Sequence, residues 1–350
     1  MPLRRPCPVP PPGMKRRAIV FAGRCVLLVA LGWHALAAAQ GAGGEPLRFG
    51  VLPIGGAAES REHWTPLLAD LGRALGRPVT VLSVTSYASL EQAIRRNEVD
   101  IAPLTAKMAL DAVSQRRMTV VALVKRHPGQ PDHRAILLAR KDGSRNRLDD
   151  LLANPERWRL ARGDSRSVSG FILPQVQLFL PNHIEMETRF RSEIIGTHQA
   201  TALAVANGDA DVATNNTTDF ERFREQFPQE ADRLQILWRS EPTPQAPIVV
   251  RRHLAPELQK KIRAFFVDYG RAPGARGETQ RETLKALRAN LGYIAADNKA
   301  LLPAAELEYQ LARQSALHGR WVSEEARQAR LARIEKAYAE QSALLRGEGR

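Results

Sequence analysis

A short hydroxyl-rich loop, residues 163–170, carries side chains that are well suited to binding an anion. Ser165, Ser167 and Ser169 alternate along it, and the apolar residues that follow are typical of a helix. The first N–H groups of a helix have no carbonyl partner within the helix and carry partial positive charge. Because one serine is enough to cap a helix, the additional hydroxyl groups predict an anion site at this helix start.

His198 stands at the start of a second predicted helix, directly after the capping residue Thr197. A histidine in this position is either an ordinary buried side chain or a ligand that donates a ring N–H to an oxyanion. We predict that the serine-bearing and histidine-bearing helix tips converge across a gap between two lobes and hold a tetrahedral anion. Tyr87 and Asn215 are further candidates for the wall of this cleft.

The serine loop also resembles part of a nucleophile motif, because Gly163-Asp164-Ser165 precedes an apolar segment. However, the Gly-x-Ser-x-Gly spacing of serine hydrolases is missing, and no Asp-x-x-His pair occurs late in the chain. His127 and His133 flank a Pro-rich loop and lack the spacing of metal ligands. We therefore expect a binding protein that has no catalytic residues, no cofactor and no metal.

Residues 1–39 are predicted to be a secretory signal peptide. Basic residues at 15–17 precede the apolar stretch 18–36, and three alanines then provide a small-residue cleavage site. Met14 is a possible true start, because the residues before it are rich in proline. A retained membrane anchor is the alternative, although Arg24 and His34 interrupt the apolar stretch. The sequence therefore predicts export to the periplasm.

The cysteine content excludes thiol chemistry from the mature protein, and the charge distribution indicates what kind of partner the protein binds. Both cysteines, Cys7 and Cys25, lie in the predicted signal peptide, so the mature protein is expected to lack thiols and disulfides. The chain has a formal net charge of +14 at pH 7. Its arginines are scattered among acidic residues rather than clustered, which argues against a nucleic-acid partner. A mildly positive field that attracts small anions is the better interpretation.

From Leu47 onward, strand-like and helix-like segments alternate along the chain. The predicted strands are residues 47–52, 79–84, 100–102, 118–124, 158–161, 188–195, 210–213 and 248–250. The predicted helices begin with one that starts at Thr65-Pro66 and include residues 87–96, 106–113, 148–152 and 198–206. The alternation predicts parallel, doubly wound α/β sheets covered by helices on both faces. Two such lobes joined by two crossing segments would place a ligand between them.

The chain ends in a long amphipathic helix, predicted over residues 324–345, where apolar residues recur among alternating Glu and Arg. This helix either packs on its own first lobe or forms the contact of a homodimer. The sequence leaves both possibilities open.

Taken in order, these motifs resemble those of the phosphonate-binding periplasmic proteins of phosphate, phosphite and phosphonate ABC importers. The resemblance runs from about Leu47 into the C-terminal helix and depends on residues 49–51, 64–66, 99–102, 163–164, 167–170, 174, 198, 202–207, 211–217 and 247–249. It implies a two-lobed, type II periplasmic binding protein that delivers a small oxyanion, such as phosphonate or phosphite, to an ABC permease in the inner membrane. The implied domains are lobe 1 (46–136 with 243–290), lobe 2 (137–242) and a C-terminal helical extension (291–350).

The resemblance also implies ligand roles for individual residues. Ser167 and Ser169 match positions whose hydroxyl and amide groups hold the phosphonate oxygens, and His198 matches a histidine donor. Gly170 belongs to the same motif, whereas Val168 replaces the threonine expected between the two serines. One hydroxyl group is therefore missing from the implied site.

Three further departures concern the organic part of a ligand. Leu104 replaces an expected cleft tyrosine, and Thr218 and Ala246 stand where binders of aminoalkylphosphonates place carboxylates. An ammonium group buried without a carboxylate partner is strongly destabilised. We therefore predict that 2-aminoethylphosphonate is not the preferred ligand, and that a smaller oxyanion or an alkylphosphonate fits better.

The missing ligand side chains and the long terminal helix keep a second function open. A ligand-sensing partner of a membrane histidine kinase could be built on the same binding fold. Neighbouring permease and ATPase genes would indicate transport, whereas an adjacent kinase gene would indicate sensing.

Overall fold

The computed structural model describes residues 44–52, 57–125 and 133–348. The predicted signal peptide, with Met14 as its possible start, lies outside these residues. Within the described ranges, no helix combines the length and the apolar character that crossing a membrane requires.

Strands and helices alternate along the chain as the sequence predicts. The first segment contains β1 (Leu47–Val51), α1 (Ala57–Leu75), β2 (Val79–Ser83), α2 (Tyr87–Arg95), β3 (Ile101–Pro103), α3 (Ala106–Ser114) and β4 (Met118–Val124). The middle segment contains β5 (Arg134–Arg140), α4 (Leu148–Ala153), β6 (Arg159–Arg162), the helical segment α5 (168–182), α6 (Met186–Arg189), β7 (Ser192–Ile195), α7 (His198–Ala206), β8 (Val212–Asn216), α8 (Thr217–Gln226), α9 (Pro228–Asp232) and β9 (Leu234–Pro242). The last segment contains β10 (Pro247–Arg251), α10 (Pro256–Asp268), α11 (Gly274–Ala286), β11 (Tyr293–Ala295), α12 (Leu302–His318) and α13 (Glu324–Arg346).

The strands form two sheets, one in each lobe. A six-stranded sheet has the order β11-β4-β10-β3-β1-β2, and a five-stranded sheet has the order β7-β6-β8-β5-β9. The prediction that Ile248–Val250 return to the first sheet is confirmed, because β10 pairs with both β3 and β4. The two-lobed α/β class predicted from the sequence is therefore the observed one.

Both sheets are mixed, whereas the sequence predicted parallel ones. β10 is antiparallel to its neighbours β3 and β4, and β5 is antiparallel to β8 and β9. β5 begins the second sheet after the first crossing, and β10 re-enters the first sheet after the second. A strand that arrives from the other lobe enters its sheet from the opposite end to the strands connected by helices, so its direction is reversed.

Several boundaries of strands and lobes differ between the structure and the prediction. β5 pairs with β9 from Arg134 and with β8 from Ala135, so the second sheet begins before residue 137, the expected start of lobe 2. The expected helical extension begins with a strand, since β11 adds to the edge of the first sheet next to β4. The strand predicted over 188–195 is confined to Ser192–Ile195, and the short helix α6 precedes it.

The helix expected to start at Thr65-Pro66 instead starts at Ala57 and contains Pro66 in its interior. A proline inside a helix leaves the carbonyl group four residues earlier without its N–H partner. Pro66 and Glu62 are both exposed, so water can satisfy that carbonyl group. The predicted helix start at Thr65-Pro66 is therefore wrong.

The C-terminal helices pack on the rest of their own chain. α12 contacts α13, and it also contacts α3 of the first lobe and α5 of the second. α13 contacts α3, where the Gln341 side-chain amide donates to the Ser114 hydroxyl over 3.0 Å, and Ile334 and Leu345 are buried. Packing on the first lobe is thus confirmed, and a homodimer contact through α13 stays a prediction.

Candidate functional site

The serine loop connects β6 to α5 and is held by its own backbone. Ser167 caps α5, where its hydroxyl accepts a 3.0 Å hydrogen bond from the Gly170 N–H. Ser169 is buried in the first turn of the helix, whereas Ser165 is exposed. Of the three serines, Ser167 and Ser169 are therefore buried at the helix start, and Ser165 is exposed to solvent.

Pro174 and Gly170 explain the irregular hydrogen bonding of this helix start. Because Pro174 has no N–H, it cannot pair with the Gly170 carbonyl in the usual way. That carbonyl instead accepts from the Thr214 hydroxyl (2.7 Å) and the Gly163 N–H (3.2 Å). The turn Val168–Ile172 has π-helical bonding. The first helical turn is thus attached to the neighbouring strand β8.

Gly170 also permits a close approach of two backbone segments. A Cβ atom at Gly170 would lie 2.9 Å from the Gly163 Cα atom and 2.8 Å from the Ser167 Oγ atom. Real Cβ contacts are longer than this, so any side chain at Gly170 would displace the loop. Gly170 therefore shapes the site without lining the cavity described below.

His198 is the first residue of α7, and Thr197 caps this helix by accepting from the Ala200 N–H. The His198 Nε2 atom lies 3.2 Å from the Ser169 Oγ atom, within hydrogen-bond distance. β6 and β7 are parallel neighbours, so the helices that follow them start at the same edge of the sheet. Both predicted tips do meet, but within the second lobe, so the expectation that they face each other across the gap is wrong.

Asn215 and Asn216 end strand β8 beside these helix tips. The Asn215 side-chain amide donates to the His198 carbonyl over 2.7 Å, which positions α7. The Asn216 amide donates to the Ser169 hydroxyl (3.3 Å) and to the Asp219 carboxylate (2.7 Å). Asn215 therefore supports the site from behind, and Asn216 belongs to it.

Asp219 was missed by the reasoning from sequence. Its carboxylate lies 4.0 Å from the His198 Nε2 atom and 3.6 Å from the Arg222 guanidinium. Asn216 caps α8, because its side-chain oxygen accepts from the Asp219 N–H while its side-chain amide donates to the Asp219 carboxylate. The Asn-x-x-Asp spacing at the end of a strand was the signal that could have found this residue.

The first lobe contacts the serine loop directly. Tyr87 lines the same cavity as Ser167, and the Thr105 hydroxyl, which caps α3, donates to the Arg166 carbonyl over 3.1 Å. The Arg166 guanidinium donates to the Glu91 carboxylate over 2.8 Å. These contacts hold the lobes closed on one another at the serine loop.

A cavity of about 240 Å³ lies between the lobes at this point. Its wall includes the following residues proposed from the sequence: Ser167, Val168, Ser169, His198, Leu104, Thr218, Tyr87 and Ala246. It also includes residues that were not proposed, among them Trp64, Thr105, Asn216, Asp219, Arg222 and Arg288. Gly170 and Asn215 lie behind the wall and do not line it.

Burial sets the protonation of the two titratable donors. Burial lowers the pKa of His198, and the nearby Asp219 charge only partly offsets this effect. Burial also raises the pKa of Tyr87, with a further increase from the Asp219 and Asp164 charges. At neutral pH the site therefore presents a neutral imidazole and a protonated phenol, and both can donate a hydrogen bond to an oxyanion.

Two α/β lobes with a cavity between them and two crossings from one to the other define a type II periplasmic binding protein. Residues 49–301 match the family model described as "ABC transporter, phosphonate, periplasmic substrate-binding protein". The chain belongs to this family, and the resemblance found in the sequence is confirmed.

Individual relatives agree with this assignment. The phosphonates-binding periplasmic protein of Escherichia coli is 34% identical over 235 residues, which is 67% of this chain and 69% of that protein. The crystal structure of a binding protein component of an ABC phosphonate transporter from Pseudomonas aeruginosa has a TM-score of 0.79 at 29% identity, covering 87% of this chain and 99% of that one. PhnD1 of Prochlorococcus marinus in complex with methylphosphonate shares the fold, with a TM-score of 0.64 at 17% identity and coverage of 76% and 98%.

Proposed function

We propose that this protein is the solute receptor of an ABC importer, which captures a phosphonate-like or phosphite-like oxyanion between its lobes and delivers it to the permease. The observation that carries the proposal is the buried polar cluster of Ser169, His198 and Asn216 at the wall of the interlobe cavity. Buried donors that converge on a cavity are suited to an anion rather than to apolar packing.

The second lobe would supply most of the contacts to the oxyanion. The Ser167 and Ser169 hydroxyls, the first N–H groups of α5 and the His198 imidazole all lie at one end of the cavity. Hydrogen bonds from neutral donors to a charged oxyanion are stronger than those between neutral groups. This set can therefore hold a tetrahedral anion without a lysine or arginine directly on it.

The first lobe would complete the site when the lobes close. Tyr87 at the start of α2 and Thr105 at the cap of α3 line the cavity from the first lobe, and Thr105 contacts the serine loop directly. A ligand that contacts both lobes stabilises the closed form relative to the open form. The closed surface would then be the form that the permease recognises.

The cellular location of the protein and the fate of its ligand follow from the same proposal. Export by the predicted signal peptide would place the receptor in the periplasm, where the family acts as the substrate-binding part of a transporter. Membership in a transporter family does not favour the histidine-kinase alternative. We infer that the site binds its ligand and leaves it chemically unchanged.

Ligand-induced stabilisation tests this function directly. The melting temperature of the purified protein should rise with phosphite, methylphosphonate or phosphate, and sulfate serves as the tetrahedral control. A ligand at one hundred times its dissociation constant stabilises a protein by about 2.7 kcal/mol. Ser169→Ala should reduce the shift, whereas Ser165→Ala, an exposed serine of the same loop, should not. If none of the phosphorus oxyanions shifts the wild-type transition, the proposed function is wrong.

Delivery requires a second test in cells. A strain that lacks this receptor but retains the permease should lose growth on the bound compound as its phosphorus source, and the wild-type gene should restore growth. Restoration by the Ser169→Ala variant to the wild-type level would contradict the role of the cluster.

A further inference from the structure

The two ends of the interlobe cavity differ in chemistry. The wall from the second lobe is polar and includes Ser167, Ser169, His198, Asn216, Asp219 and Arg222. The wall from the first lobe is mostly apolar and includes Leu52, Trp64, Leu104, Val124, Ile248 and Leu287. A ligand that satisfies both walls must itself have a charged end and an apolar end.

We propose that the preferred ligand is an alkylphosphonate with a substituent of several carbons, whose oxyanion binds the second lobe and whose alkyl group lies against the first. This inference depends on the proposed function, because it assigns the class of ligand for the same site.

The size of the cavity supports a substituent larger than hydrogen or methyl. The cavity volume of about 240 Å³ is many times the roughly 10–15 Å³ that a site for one water molecule requires. A phosphite ion has one phosphorus and three oxygen atoms, so it would leave much of this space to water against an apolar wall. An alkyl group that displaces this water gains the free energy of burying apolar surface.

The apolar wall is preformed by packing in the first lobe. The Trp64 ring lies 5.0 Å from the Phe49 ring, measured between centroids, and Phe49 is buried in the core. Leu104 and Ile248 are also buried, on the adjacent strands β3 and β10 or at their ends. Because these side chains are already fixed, little conformational entropy is lost when an alkyl group binds.

An ammonium group on the ligand would find no counter-charge at this wall. The described residues that line it include no Asp or Glu, and the Arg288 guanidinium carries the opposite sign to what an ammonium needs. The Asp219 carboxylate belongs to the polar end, where it already accepts from Asn216 and faces Arg222. An aminoalkyl substituent pointing toward the first lobe would therefore be desolvated without compensation.

Titration calorimetry with a homologous series tests the proposal. Phosphite and the methyl, ethyl and n-propyl phosphonates should bind progressively more tightly, by about fourfold for each methylene that is buried. n-Propylphosphonate and 2-aminoethylphosphonate have the same number of non-hydrogen atoms and form a matched pair. The propyl compound should bind at least tenfold more tightly.

A charge introduced at the wall should reverse this preference. Ala246 lies in the second crossing, lines the cavity and is exposed, so a longer side chain can be placed there without disturbing the core. Ala246→Asp should weaken n-propylphosphonate and strengthen 2-aminoethylphosphonate, so that their ratio changes by at least tenfold. Ala246→Asn, which has nearly the same size and no charge, is the control and should leave the order of the two ligands unchanged.

The outcomes separate the two proposals. If no phosphorus oxyanion binds, the proposed function fails, and this inference fails with it. If phosphite or 2-aminoethylphosphonate binds as tightly as n-propylphosphonate, the receptor function stands and the alkyl preference is refuted. Affinity that rises along the alkylphosphonate series, together with a reversed ligand preference in Ala246→Asp, would support both the receptor function and the alkyl preference.

Discussion

Replacing His198 by alanine is the sharpest test of the anion site. The side chain is 7% exposed, begins α7 and has its Nε2 atom 3.2 Å from the Ser169 hydroxyl. Because burial lowers the pKa of His198, the ring is neutral at pH 7.5 and offers one N–H group. His198→Ala removes this donor, and Ser169 then keeps only its 3.3 Å contact with Asn216.

The expected increase in the dissociation constant follows from the loss of one hydrogen bond to a charged group. Such a bond contributes about 1.5–3 kcal/mol, which corresponds to a roughly 10- to 150-fold increase in the dissociation constant. His198→Asn keeps a side-chain N–H donor on a shorter stem, so an intermediate loss is expected. The effect should appear in binding and leave the secondary structure unchanged.

Calorimetry at pH 7.5 with the tightest phosphorus oxyanion found for the wild type would measure this loss. His183→Ala is the matched control, because His183 is outside the cavity and pairs with His318 near the surface. Circular dichroism of each ligand-free variant would establish that it is folded. If folded His198→Ala binds with wild-type affinity, His198 does not contact the ligand and the assignment of the polar end is wrong.

Three further predictions concern the closure of the lobes, the packing of the serine loop and the dependence of stability on pH. Arg166→Met removes the 2.8 Å ion pair with Glu91 between the lobes, and affinity should fall about two- to fivefold, as for a partly exposed pair. Gly170→Ala forces a Cβ atom against Gly163 and should lower the free energy of unfolding by about 1–3 kcal/mol, measured by urea denaturation. The lowered pKa of His198 means that the unfolded chain binds its proton first. The ligand-free protein should therefore lose stability as pH falls below about 6.5, down to the folded-state pKa, and His198→Asn should remove this component.

Each of these predictions has a control and a contradicting result. Arg95→Met removes a partner of Glu91 within the same helix, so a loss of affinity equal to that of Arg166→Met would show that closure is not involved. Gly143→Ala places its Cβ atom no closer than 3.5 Å to a neighbour and should be neutral. Gly170→Ala with wild-type stability would refute the packing reason. An identical dependence of stability on pH in His198→Asn and the wild type would assign the titration to other groups.

The elements of the fold were largely predictable because they depend on local patterns. β1 and β4, the helix from Tyr87 and the terminal helix from Glu324 follow the apolar periodicity of their own sequences. The direction of β10 within its sheet was not predictable in this way. It depends on the side from which the chain re-enters the lobe, and no local pattern records that.

The candidate site was predictable in part for the same reason. Ser167, Ser169 and His198 stand at helix starts, and capping residues leave a local signal in the sequence. Trp64 carries no comparable signal, because it reaches the cavity only through the placement of α1. The capping position of Asp219 is visible in the sequence, but it does not show that the side chain reaches the cavity. The relative position of the two tips depends on strand order, because β6 and β7 are parallel neighbours. The expectation that the tips face each other across the gap was wrong for this reason.

The sequence alone determined the alternation of strands and helices, the two capped helix tips and the family, because these depend on neighbouring residues and on matched motifs. Only the tertiary structure decided that the two tips lie side by side, with the Ser169 Oγ atom 3.2 Å from the His198 Nε2 atom, and that the opposite wall is mostly apolar. Side chains distant in the chain form that wall, and their distances are set by the packing of two sheets rather than by any local preference.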